Sequence, residues 1–103
     1  MLFRSWVVTA WNPFSEELTR AENACRHAGL VARLDADGVT WLPAVGSSSD
    51  GRWAEESVVV VGIDREAARV LGRAFDQHAV FEVADGMLRV HACFDDWIDE
   101  RPL

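Results

Sequence analysis

Four kinds of side chain in this sequence could hold a polar molecule by hydrogen bonding and stacking. They are the amides of Asn12, Asn23 and Gln77, the hydroxyl of Ser57, the carboxylate of Glu55 and the indole of Trp53. An amide offers two donors and an acceptor, and an indole offers a flat face, so the set suits a polar ligand with a planar group. The same amides have a competing, internal use. Asn12 before Pro13 can hold a turn, and Gln77 can satisfy carbonyls left open at a helix end.

Catalysis has narrower support. A carboxylate beside an indole and partly withdrawn from water has a raised pKa and can act as a general acid or base. Glu55 and Glu56 both lie near Trp53, but neighbours in an extended segment point to opposite sides, so at most one faces a site. No second carboxylate, activated nucleophile or oxyanion hole stands at a recognisable spacing, and Ser57 lacks a Gly-x-Ser-x-Gly context. If the hairpin described below forms, His78 opposes Cys93 and His91 shares their face, with Asp95 near. That set is compatible with zinc but is more often accidental, and neither metal nor cofactor is expected. His27, one turn from Asn23, reads as a solvated helix residue. The run from Gly46 to Gly51 has no following Lys and opens no helix, which argues against a phosphate cradle.

The elements that must position these groups follow from periodicity and punctuation. Residues Phe3 to Asn12 read as a strand, rich in β-branched and aromatic types and stopped by Pro13. Ser15 is the expected N-cap of a helix running to about Leu34, with Glu16–Arg20 and Glu22–Arg26 as pairs on its outer face. Asp35 to Gly38 is a turn, and Val39 to Val45 a strand whose Pro43 argues for an edge position. A loop spans Gly46 to Glu56. Ser57 to Ile63, with four successive valines, reads as a strand covered on both faces. Asp64 caps a second helix to about Asp76, with Ala67, Ala68, Leu71, Ala74 and Phe75 inward. Ala79–Ala84 and Met87–Cys93 form a hairpin about Asp85-Gly86, in which Glu82 faces Arg89 and Phe81 faces Val90.

The order β-α-β-β-α-β-β favours a split β-α-β arrangement, so the expected fold is α+β: two helices on one face of an antiparallel, ferredoxin-like sheet with an added hairpin strand. This threading brings Trp11-Asn12-Pro13, the 46–57 loop and Phe75-Asp76-Gln77-His78 to one end of the sheet. The other sheet face is expected to be apolar, carrying valines and the tryptophans of the first strand. Either the acidic tail, 94–103, folds Trp97 and Ile98 over it or a second subunit does, and a homodimer through this face is the expectation.

At these residues the chain resembles a small bacterial family of domains of unknown function. Its motifs read here as Thr9-Ala10-Trp11-Asn12-Pro13, Glu22-Asn23, Gly46 through Trp53, Glu55 and Ser57, and Phe75-Asp76-Gln77. The resemblance runs from about residue 5 to 92 and leaves the tail outside. It selects Glu55 over Glu56 and implies positions without a chemistry.

Composition narrows the classes. The 103 residues suit one domain, and 50% apolar content allows a core without disulfides or metal. The net charge of −7, with every basic residue an arginine and none clustered, argues against nucleic acid. No apolar run is long enough for a bilayer, no signal peptide is read at the start, and Cys25 and Cys93 read as reduced thiols. The expectation is therefore a cytoplasmic binding module for a small polar molecule or peptide. A small hydrolase or transferase using Glu55, or an acidic interaction or inhibitor module, is the alternative.

Overall fold

The computed structural model describes residues 4–48 and 50–103. Phe3, expected to open the first strand, and Ser49, expected in the loop, lie outside the described residues. Six strands and two helices follow in the order β1 (Ser5–Val8), α1 (Arg20–Asp37), β2 (Thr40–Ser47), β3 (Ala54–Val61), α2 (Arg65–Ala74), β4 (Ala79–Ala84), β5 (Met87–Ala92) and β6 (Ile98–Pro102). The strands form one sheet in the order β2-β3-β1-β4-β5-β6, antiparallel at every step. Its first four strands are the ferredoxin-like core. Among the described residues no helix is long and apolar enough to cross a membrane.

The helices pack on the face that carries Trp6, Val8, Val58, Val60 and Val80, and contribute Leu30, Leu34, Ala68 and Leu71 to the same core. Trp6 is fully buried there, its indole N–H donating to the Ile63 carbonyl at 3.0 Å. It therefore does not lie on the open face, where the tryptophans of the first strand were expected, and Trp11 lies beyond the strand. The valine strand is covered on one side only, with Val58 and Val60 buried and Val59 and Val61 half-buried. Its lack of alternation in residue type conceals an alternation in burial. Across the open face the register aligns Leu42, Val59, Val7, Phe81 and Val90 in one apolar row. Residues 98–102 do not cross this row. They join the sheet edge beside β5, leaving Trp97 and Ile98 exposed.

Several boundaries move for local reasons. β1 stops at Val8 because the chain turns: the Thr9 hydroxyl donates to the Glu56 carbonyl at 2.9 Å and accepts from the Trp11 N–H at 3.1 Å. Ser15 does not cap α1, because Asn12, Phe14 and Ser15 all take positive φ about a 3-10 turn at Pro13–Ser15. The cap is Thr19, in a capping box with Glu22. Glu22 is thereby occupied, and Arg26 reaches across to the Ala10 and Phe75 carbonyls, so the expected Glu22–Arg26 pair does not form. The helix runs on to Asp37, where Gly38 at φ 68° closes it. The long loop shortens because Gly46 and Ser47 pair with Glu55 and Ala54.

Other details match the expectation. Pro43 sits on an edge strand, Asp64 caps α2 through the Ala67 N–H, and Glu82 opposes Arg89. On α2 the expectation holds for Ala68 and Leu71, and Phe75 packs against the core just past the helix, but Ala67 and Ala74 face solvent and Gly72 is buried instead. Glu82 itself is buried on the helix side of the sheet and paired with Arg4 at 2.7 Å and His91 at 2.9 Å.

Candidate functional site

The 9–15 segment forms a strained corner at the end of β1. Asn12 sits at φ 47° directly before a proline, where α-type conformations are disfavoured, and Phe14, a bulky residue, sits at φ 49°. Asn23 holds the corner in place. Its Oδ1 accepts the Asn12 backbone N–H at 2.9 Å and its Nδ2 donates to Asn12 Oδ1 at 2.8 Å. Asn12 Oδ1 also accepts the Leu18 N–H at 3.0 Å, so the chain entering α1 is tied to the same side chain. A second tie comes from α2's end: the Phe14 N–H donates to the Asp76 carbonyl at 2.7 Å, and Gln77 Nε2 donates to the carbonyls of Trp11 at 3.0 Å and Phe75 at 3.1 Å.

Beside this corner a cavity of about 820 Å³ opens onto the uncovered sheet face. Asn12, Trp53, Glu55, Ser57 and Gln77 all line it. Asn23 does not; it is buried behind Asn12 as the clamp just described. The three segments expected to meet at one end of the sheet do meet. Asn12 Nδ2 donates to Glu55 Oε1 at 3.3 Å, joining the corner to the tryptophan-bearing loop. That loop is held by its own bonds: Trp53 N donates to Ser48 Oγ at 3.0 Å, and Ser48 N to the Trp53 carbonyl at 2.9 Å. Gly46 opposes Glu55 in the ladder and adds no side chain to the cavity wall.

A family model described as "Protein of unknown function (DUF3293)" matches residues 8–80. The chain belongs to that family. The matched span contains the corner, Asn23, the Trp53 loop and Gln77, and ends within β4; β5 and β6 lie outside it. Among curated proteins, none matches the chain. Among solved structures the chain is similar to a phage SAM lyase in complex with S-methyl-5'-thioadenosine, at 13% identity over 99% of this chain and 89% of that one. The TM-score is 0.41, a likeness too small to speak for function.

Two carboxylates, Glu17 and Glu55, line this family member's cavity, and Glu55 is the one that burial perturbs. Burial pushes its carboxyl up from the ordinary value, and hydrogen bonding from the Asn12 amide and the Trp53 indole partly opposes the shift. Ser57 is buried, and its hydroxyl donates to the Glu55 carbonyl oxygen at 3.4 Å. Glu56 lies on the opposite side of β3, 3.6 Å from His27 Nε2. His27 is therefore docked on β3 and not freely solvated.

Several cavity residues escaped the sequence reading. Val7, Phe81 and Leu88 line it from the open sheet face and Glu17 from the approach to α1, while Trp11, expected at this end of the sheet though not as a ligand group, lines it too. Strand alternation marks Val7 and Phe81 as lying opposite the Trp6 and Glu82 face, which was the available signal. Trp11 carries a buried indole N–H with no partner among the described residues.

The His78, His91, Cys93 set does not converge. His91 is bound between Glu82 and the Arg65 guanidinium, at 2.9 Å to each, and the His78 ring lies against Phe14. Among the described residues no group of three or more His, Cys, Asp or Glu is placed to hold a metal ion. Burial pushes the Cys93 thiol up, against the opposing charges of Arg73 and Arg69, which disfavours the reactive thiolate.

Proposed function

We propose that this domain binds a small polar molecule, or the polar tip of a peptide, that carries a flat group, and releases it unchanged. The observation that carries the reading is the cavity beside the strained corner. Its volume of about 820 Å³ is that of a ligand pocket. It combines an aromatic wall, Trp53, with polar groups from three segments distant in sequence. Backbone strain of the kind seen at Asn12 and Phe14 persists only where surroundings over-determine it, and it gathers at binding sites. Here it is held by Asn23 and the end of α2, which keeps the wall in place before any ligand arrives.

The reading is tested by a thermal-shift screen of nucleosides, amino acids, sugars and amines on the wild type and on Trp53→Ala. Trp53 is 45% exposed, so the variant keeps the fold. A ligand at about 100 times its Kd adds ~2.7 kcal/mol, or roughly 10 °C of Tm for a domain of this size. The shift is expected in the wild type and lost in the variant. A screen without any shift that depends on Trp53 refutes the reading.

A second reading is favoured by one observation, the burial that raises the Glu55 carboxyl. In it Glu55 exchanges a proton with a bound substrate as general acid or base. The two readings separate on the fate of the ligand. Consumption that Glu55→Gln abolishes makes the protein an enzyme; a ligand recovered intact makes it a binding module.

A further inference from the structure

We infer that the occupant of this cavity is an organic cation bearing N–H donors, an amine or a guanidinium attached to a flat group. The inference rests on the reading of the cavity as a ligand site and names the chemical class that site selects.

Charge is the first reason. Glu55 and Glu17 line the cavity and no arginine does, in a chain that has no lysine. The nearby arginines are engaged elsewhere. Arg26 is spent on the Ala10 and Phe75 carbonyls and faces Asp76, and Arg52 faces Asp50 out on the loop. A phosphate or carboxylate entering here would meet like charge in a partly desolvated site, with no lysine or arginine among the described residues that line it.

Hydrogen-bond polarity is the second. Both N–H groups of Gln77 are committed to carbonyls, so it has only an acceptor left to offer. Asn12 Oδ1 already takes two donors, and one Asn12 Nδ2 hydrogen is used on Glu55 Oε1. The acceptors left are Gln77 Oε1 and the lone pairs of the Glu55 carboxylate not taken by Asn12 and the Trp53 indole, and the donors left are one Asn12 amide hydrogen and the Trp11 indole N–H. A ligand N–H donor therefore finds lone pairs on both the Glu55 carboxylate and Gln77 Oε1.

The third reason is the apolar wall. Trp53, Trp11 and Phe81 line the same space, and a cation over an aromatic face gains attraction that a neutral or anionic group does not. The burial that pushes the Glu55 carboxyl up is a cost of leaving this carboxylate without a counterion, and a bound ammonium removes it.

Three soluble probes of one size isolate the charge: benzylamine, which is cationic at pH 7.5, benzyl alcohol, which is neutral, and benzoate, which is anionic. Each is titrated into ¹⁵N-labelled full chain, following the indole N–H signals of Trp53 and Trp11. Benzylammonium is expected to bind about tenfold tighter than benzyl alcohol, as 1.4 kcal/mol of charge pairing gives, and benzoate more weakly than either. Glu55→Gln is expected to cost benzylammonium most of that advantage, and Glu17→Gln, at an exposed position, a smaller part. Benzyl alcohol or benzoate binding as tightly as benzylammonium overturns the cation inference while leaving the cavity a ligand site. Signals that none of the three probes moves overturn both.

Discussion

Replacing Asn23 with alanine removes the clamp on the strained corner, and the structure sets the size of the effect. Asn23 is 2% exposed, and two of its hydrogen bonds are buried. The first loss is the acceptor for the Asn12 backbone N–H. That donor is then stranded in a residue only 8% exposed, a penalty of about 1–3 kcal/mol. The second loss is the Nδ2 bond to Asn12 Oδ1. It is milder, about 0.5–1.5 kcal/mol, because that oxygen still accepts the Leu18 N–H. The third, to the Leu18 carbonyl at 3.4 Å, is weak. Together these predict a loss of about 2–4 kcal/mol, read as a fall in Tm of roughly 10–20 °C. Urea unfolding followed by tryptophan fluorescence gives the free energy directly. Asn12→Ala and the double variant complete a cycle in which the two asparagines should couple by about 0.5–1.5 kcal/mol through the Nδ2–Oδ1 bond, since Asn12→Ala keeps the backbone N–H that Asn23 accepts. A loss below ~1 kcal/mol for Asn23→Ala, or additive single variants, would refute the clamp and with it the account of why Asn12 and Phe14 tolerate positive φ.

Two further outcomes follow from particular contacts. Gly72 on α2 lies so close to the sheet that an added Cβ would overlap Cys93 Sγ and come within 2.8 Å of Val80 Cγ1; Gly72→Ala should therefore cost about 1–3 kcal/mol of overpacking, more than the ~1 kcal/mol of helix propensity it gains. A Gly72→Ala variant of wild-type stability in urea would show that α2 can lift off the sheet freely. Glu55, whose folded-state pKa is raised above its ordinary 4.5, holds its proton more tightly in the folded state than in the unfolded chain, so its contribution to stability is most favourable below that ordinary value and declines as pH rises through the folded pKa. Glu55→Gln, which mimics the protonated form, should gain stability relative to wild type between pH 4 and pH 7, and a difference that does not change with pH contradicts the assignment of burial as the dominant cause.

Much of the architecture was legible in the order of amino acids because short-range rules govern it. Asp85-Gly86 sets a two-residue turn, and the match of Glu82 with Arg89 and Phe81 with Val90 admits one register. Asp64 caps α2 by a bond to a residue three positions on, and Pro43 excludes β2 from a central position. The convergence of residues 11–13, 46–57 and 75–78 was legible for the same reason: it follows from the order of elements and the rule of right-handed crossovers.

What only the tertiary structure decided involves partners far apart in the chain. Ser15 was as good a cap as Thr19 by residue type. It failed because Asn12 is tied to Asn23 and Phe14 to Asp76, contacts that turn the backbone to positive φ and delay the helix. The same ties moved Asn23 from a candidate ligand group to a buried clamp, and only the pairing of β1 against β3 and β4 settled that Trp6 is core while Val7 and Phe81 face the cavity. Residue type carries the preferences of a side chain for its immediate neighbours. Which of several equally suited side chains reaches a ligand depends on hydrogen bonds whose other half lies tens of residues away, and a linear reading cannot price those bonds until the fold has made them.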